Sequence, residues 1–116
     1  MRLRLIFVPA TTIAIAAQLL TGGNFLITGQ ALGHVKTGVL VLFVAWAAVA
    51  GALTAIPRDR ALGASTLATI GLVFLTGATS EKSLMIFHYA VALVAFTASL
   101  VSTLFAVRWS RLNRSG

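Results

Sequence analysis

The chain has 116 residues, 59% of them hydrophobic and 9% charged, with a mean hydropathy of +0.99, too apolar for a soluble domain of this size. The net charge of +7 does not point to nucleic acid, because the basic residues stand at the ends of apolar runs and form no patch interleaved with exposed aromatics. There is no cysteine, which removes disulfides, iron–sulfur clusters and any thiolate-held group.

Four apolar runs follow one another, at about residues 5–27, 32–56, 61–78 and 84–107. Each is long enough to cross about 30 Å of hydrocarbon at roughly 1.5 Å per residue. The first follows Arg2 and Arg4; its basic start and apolar stretch resemble a secretory signal, but an uncleaved first helix is the expectation. The connection TGGNFLITGQ, residues 21–30, carries glycine and threonine as loop formers. The second run ends at Pro57, where Arg58-Asp59-Arg60 makes a tight turn, since proline cannot continue a helix without losing a hydrogen bond. In the third, Ala64 and Ala68 are four apart and allow close helix packing. The connection TGATSEKS, residues 76–83, offers Ser80 or Ser83 as a cap for the fourth helix, with Glu81 near its positive end. Arg108, Arg111 and Arg114 close the chain.

The predicted fold is an all-α integral membrane protein, one domain over residues 1–116, built as an up-down-up-down bundle of four transmembrane helices. Period-2 alternation, the mark of a membrane barrel, is absent. Arg2, Arg4, Arg58, Arg60, Arg108, Arg111 and Arg114 fall on one side and Lys36 and Lys82 on the other. The positive-inside rule therefore puts both termini in the cytoplasm of a multi-pass plasma-membrane protein. Trp109 fits the inner interface and Tyr89 the outer one.

In that topology the second and fourth helices are diagonal partners, and the only two histidines, His34 and His88, lie near their outer starts. His34 stands 24 residues before Arg58 and His88 20 before Arg108; the difference of four is about 6 Å of helix, or one turn. Ionisable residues within membrane helices are functional candidates. The geometry predicts one b-type haem between these helices, with His34 and His88 as axial ligands to the iron. Gly38 and Ala92, one turn inward from each histidine, leave room for a flat macrocycle, Gly33 adds space beside His34, and Lys36 or Lys82 would meet the propionates. The competing readings are an interfacial or hydrogen-bonding role for the imidazoles, another metal, or a quinone site. A dedicated metal site usually uses more ligands than two histidines.

Other residues carry less. Met85, three before His88, reads as packing. Phe43, Trp46 and Phe96 read as lipid-facing or core, while Gln18, Asn24 and Gln30 are polar enough to line a cavity. No serine, histidine and acid assemble as in a hydrolase, and there is no phosphate-binding loop.

The stretches TGGNFLITGQALGHVKTGVLVLF and TIGLVFLTGATSEKSLMIFHYAVALV resemble one half of the haem A synthases, which consist of two related four-helix bundles in tandem. The resemblance runs from about Ala17 to Leu104 and includes the Gly22-Gly23 and Thr28-Gly29 steps and the glycine-containing outer end of the third helix. In that family each half carries a histidine near the outer start of its second and fourth helices, and the pair holds a haem; His34 and His88 fall on those positions. The catalytic half has a glutamate three residues before the second-helix histidine, where this chain has Ala31, and an arginine commonly follows that histidine, where this chain has Val35. The outer-loop cysteine pair of many members is also missing. The resemblance therefore implies the cofactor-binding, non-catalytic half standing alone.

The expected function is a small membrane b-type cytochrome, for electron transfer or as a haem-bearing subunit of a respiratory complex. It would sit among membrane lipids as a homodimer or within that complex. The alternatives are a compact homo-oligomeric haem A synthase and a haem-free structural subunit of a larger membrane complex.

Overall fold

A computed structural model describes residues 5–30, 32–53, 59–80 and 82–112, without the side chain of Lys82. Arg2, Arg4, Ala31, Pro57, Arg58, Glu81 and Arg114 lie outside the described residues. The described chain is all-helical: α1 (Phe7–Thr28), α2 (Leu32–Leu53), α3 (Arg60–Ala78) and α4 (Met85–Leu112), with one 3-10 turn, Lys82–Leu84, before α4. All four α-helices are long and apolar enough to cross a membrane, and the molecule measures 50 × 20 × 17 Å.

Two helix ends show how the elements are closed. The first apolar run, 5–27, matches α1, and residues 21–28, whose glycine and threonine also suited a connection, are its last two turns. The helix stops at Gly29, whose φ of 74° is left-handed and whose N–H donates to the Phe25 carbonyl at 2.8 Å, the usual way a glycine closes a helix. At the other end of the molecule Asp59 caps α3: its Oδ1 accepts from the Leu62 N–H at 3.1 Å. The same buried carboxylate accepts from Arg108 Nη2 at 3.1 and 3.2 Å, tying the start of α3 to the last turns of α4.

α1 packs against α2 and α4, and α3 packs against α2 and α4. One apolar cluster joins Leu5 and Val8 before and within the first turn of α1, Ala48 and Ala52 late in α2, Leu62 early in α3, and Ala106 and Trp109 late in α4. Trp109 is therefore buried in the bundle, where the sequence reading set it at the membrane interface. The helix carries it on the same face as Ala106, three residues earlier and also buried, and i, i+3 neighbours share a face. Ala64 and Ala68 are exposed, so they leave the inner contacts of α3 to Leu62, Thr66, Thr69 and Ile70.

The distribution of polarity is that of a protein in lipid. Large apolar residues face outward on every helix, among them Ile13, Leu20, Phe43, Leu67, Ile86 and Leu104. The buried set includes Thr11, Thr66, Thr69, Ser99 and Ser102. Lipid is as apolar as leucine, so burial of leucine adds little there, and small and hydroxyl-bearing residues let helices approach closely.

Candidate functional site

His34 lies in the first turn of α2 and His88 in the first turn of α4. Their ring centres are 6.4 Å apart with planes at 85°. The fold thus brings the only two imidazoles of the sequence together across the bundle, with their planes almost perpendicular.

Each ring is held by its Nδ1. His88 Nδ1 donates to the Thr76 carbonyl at 2.7 Å. That carbonyl belongs to the last turn of α3, where it also accepts from the Thr79 N–H at 3.3 Å and the Thr79 hydroxyl at 3.0 Å, as helix-end carbonyls take what donors the turn and side chains offer. A carbonyl only accepts, so the hydrogen is on Nδ1, and Nε2 of the neutral ring keeps its lone pair. His34 Nδ1 lies 3.3 Å from Thr21 Oγ1. With the Thr21 hydroxyl donating to the Gln18 carbonyl at 3.1 Å, its oxygen can accept from a His34 Nδ1–H, the tautomer that would leave Nε2 as the ring's ligand atom.

The support beneath His34 continues inward. Thr37 Oγ1 is 2.9 Å from Thr21 Oγ1 and hydrogen-bonds Gln18 Oε1, so Gln18, Thr21, His34 and Thr37 form one network between α1 and α2. Phe25 stacks parallel to the His34 ring, with centres 6.4 Å apart and planes at 13°. Gly22 lies so close that a Cβ there would be 3.1 Å from His34 Cε1. The ring is confined by Gly22 and Phe25 and bonded by Thr21, all on α1.

Both histidines line a cavity of about 560 Å³, within the roughly 300–1,000 Å³ range of small-molecule sites. All four helices contribute, with Ile15 on α1, Val41 on α2, Val73 on α3 and Ala95 on α4. Its exposed lining residues include Val35, Val39, Phe74 and Gly77, which places the rim between α2 and α3. The polar side chains in the wall besides the histidines are Gln18, Thr76 and Ser80.

The sequence-derived site residues divide. Gly38 and Ala92 line the cavity with His34 and His88. The space over Gly38 is taken by Gln18, whose Nε2 would be 3.0 Å from a Cβ at that position; Gly38 therefore accommodates the amide of α1. Gly33 is exposed, and a Cβ there would meet nothing within 4 Å, so it adds no room at the His34 ring. Lys36 is exposed and outside the cavity lining; the side chain of Lys82 lies outside the described residues. Sequence reasoning missed Thr21, Thr37 and the Thr76 carbonyl. Thr37 could have been found, since it is three residues from His34 on the same helix. The Thr76 carbonyl carries no side-chain signal at all.

The chain matches no family model, no curated protein and no solved structure.

Proposed function

We propose that this chain is a small membrane b-type cytochrome that binds one haem through His34 and His88. It serves electron transfer or acts as a haem-bearing subunit of a respiratory complex. The observation that carries this reading is that both Nδ1 atoms are engaged, on two rings lining one cavity; with Nδ1–H donating, each Nε2 would be the atom offered to a metal. The two ring centres are 6.4 Å apart, near enough for both imidazoles to hold one group in the cavity they line. The likeness to one half of the haem A synthases supports the same pair.

When bound, the haem supplies one-electron exchange between its ferric and ferrous forms. His34 and His88 would hold it, and a haem held by two histidines suits electron transfer better than oxygen binding. Thr21 and the Thr76 carbonyl fix the rotation of the imidazoles, as partners behind a ligating histidine commonly do. Ile15, Val41, Val73 and Ala95 surround the site with apolar surface that excludes water.

Purified protein should give a b-type band in a reduced-minus-oxidised spectrum, and His34→Ala and His88→Ala should each abolish tight haem binding. A haem-free preparation that stays haem-free on titration would instead fit a structural subunit of a larger membrane complex. Haem extracts of cells with and without the gene separate the cytochrome from a compact haem A synthase, because only the synthase changes the haem A content.

The wider reading is an up-down-up-down bundle in the plasma membrane, with both termini cytoplasmic and the histidines near the outer face. Asp59, Arg60, Arg108 and Arg111 lie at one end and Lys36 at the other, in keeping with the positive-inside rule. Membrane lipids surround it, and it works as a homodimer or within a respiratory assembly.

A further inference from the structure

Separate from the histidine cavity, a pocket of about 10 Å³ lies inside the bundle, lined by Thr11, Thr66, Thr69, Ser99 and Ser102. All five residues are buried. They come from three helices, while α2 contributes only Ala45 and Ala48. The pocket is one turn along each helix from the cavity wall, since Thr11, Ala45, Thr69 and Ser99 stand four residues from Ile15, Val41, Val73 and Ala95.

The hydroxyl hydrogens of this cluster are all committed. Thr11 donates to the Phe7 carbonyl at 2.7 Å, Thr66 to that of Leu62 at 2.8 Å, Thr69 to that of Ser65 at 2.8 Å and Ser99 to that of Phe96 at 2.7 Å. With the Thr66 hydrogen so placed, Ser102 donates to Thr66 Oγ1 at 2.6 Å. What the five oxygens offer one another and the pocket is therefore lone pairs, and a group that satisfies them must donate hydrogen bonds.

We infer that this pocket is a binding site for one structural water molecule that donates to hydroxyl oxygens of at least two helices. The volume is at the threshold for a single water, about 10–15 Å³, and such waters take 2–4 polar partners. A bare cation fits the oxygens but not the surroundings, because none of the lining residues is acidic and an uncompensated charge at membrane depth is costly. The water bridges α1 to α3 and α4 across the middle of the bundle. Leu5, Val8, Leu62 and Trp109 close the bundle toward the Asp59 end, which makes it a tie between helices and not a step in a path to that surface.

The test uses the full chain in lipid nanodiscs, with a structure at a resolution that shows waters and, on the same sample, NMR transfer of magnetisation from water to the Ser99 and Ser102 side chains. Expected is one peak at hydrogen-bond distance, about 2.5–3.0 Å, from at least two of the five oxygens on different helices, with transfer to both serines. Ala45→Ser places a hydroxyl in the pocket in the water's stead; the peak should vanish and the transfer fall to background while the helices stay in place. A peak touching oxygens of only one helix, a dry pocket, or transfer unchanged in Ala45→Ser overturns the inference.

Discussion

Thr21 stands to His34 as the Thr76 carbonyl stands to His88, one acceptor behind each imidazole. A side chain can be removed and a carbonyl cannot, so Thr21 is where the arrangement can be tested. Thr21→Val keeps the shape and loses the acceptor; haem titration should show affinity weakened by about 10–100-fold, the usual cost of losing a partner behind a metal-bound histidine. An unchanged affinity would mean that Phe25 and Gly22 alone orient the ring. Two glycines give an opposed pair. Gly22→Ala drives a methyl group to 3.1 Å from the His34 ring and should loosen haem binding. Gly33→Ala meets nothing and should leave the spectrum unaltered while raising helix stability by up to about 1 kcal/mol. The spacing of the histidines is plain in the sequence, but which glycine touches an imidazole is not. Gly22 is twelve residues from His34 and reaches it only because α1 and α2 pack side by side.

Among the helices, α3 and α4 are joined by the most specific contact outside the site. Asp59 both caps α3 and receives Arg108, and Arg108 also lies over the Phe105 ring at 4.9 Å. The two functions can be separated by substitution. Asp59→Ala removes cap and pair and should lower the stability to unfolding in detergent by about 1–2 kcal/mol, mostly from the cap. Arg108→Gln leaves the cap and should cost less than about 1 kcal/mol, because the arginine is half exposed and such pairs contribute little. Equal losses would show that the ion pair, and not the cap, holds this corner. The turn was readable from Pro57 and the charges after it, whereas the partner of Asp59 was not. Arg108 is one of several arginines at this end, and only the packing of α4 on α3 selects it.

On the scale of the whole molecule, orientation can be read directly because the chain has no cysteine. Single cysteines replacing Lys36 and Arg111 should react with an impermeant thiol reagent from opposite sides of intact cells, position 36 from outside and position 111 only after permeabilisation. The reverse pattern would invert the proposed topology and put the histidines near the inner face. The outward-facing apolar residues and the hydroxyl-rich interior also set an expectation for solubilisation. Detergent is required to keep the chain monodisperse, and its removal should cause aggregation, measured by size-exclusion chromatography.

Length and hydropathy by themselves determined that this chain makes four helices long and apolar enough to span a membrane, because a backbone in hydrocarbon must satisfy its own hydrogen bonds within each segment. Their spacing also carried the two histidines to corresponding ends of α2 and α4. Tertiary structure alone decided the rest. Gln18 fills the space at Gly38, Trp109 turns into the core, Ala64 and Ala68 turn away from it, and a helix-end carbonyl orients His88. In a membrane helix nearly every face is apolar, so periodicity loses its power to say which side is inside; only the packing of small and hydroxyl residues between neighbours makes that choice.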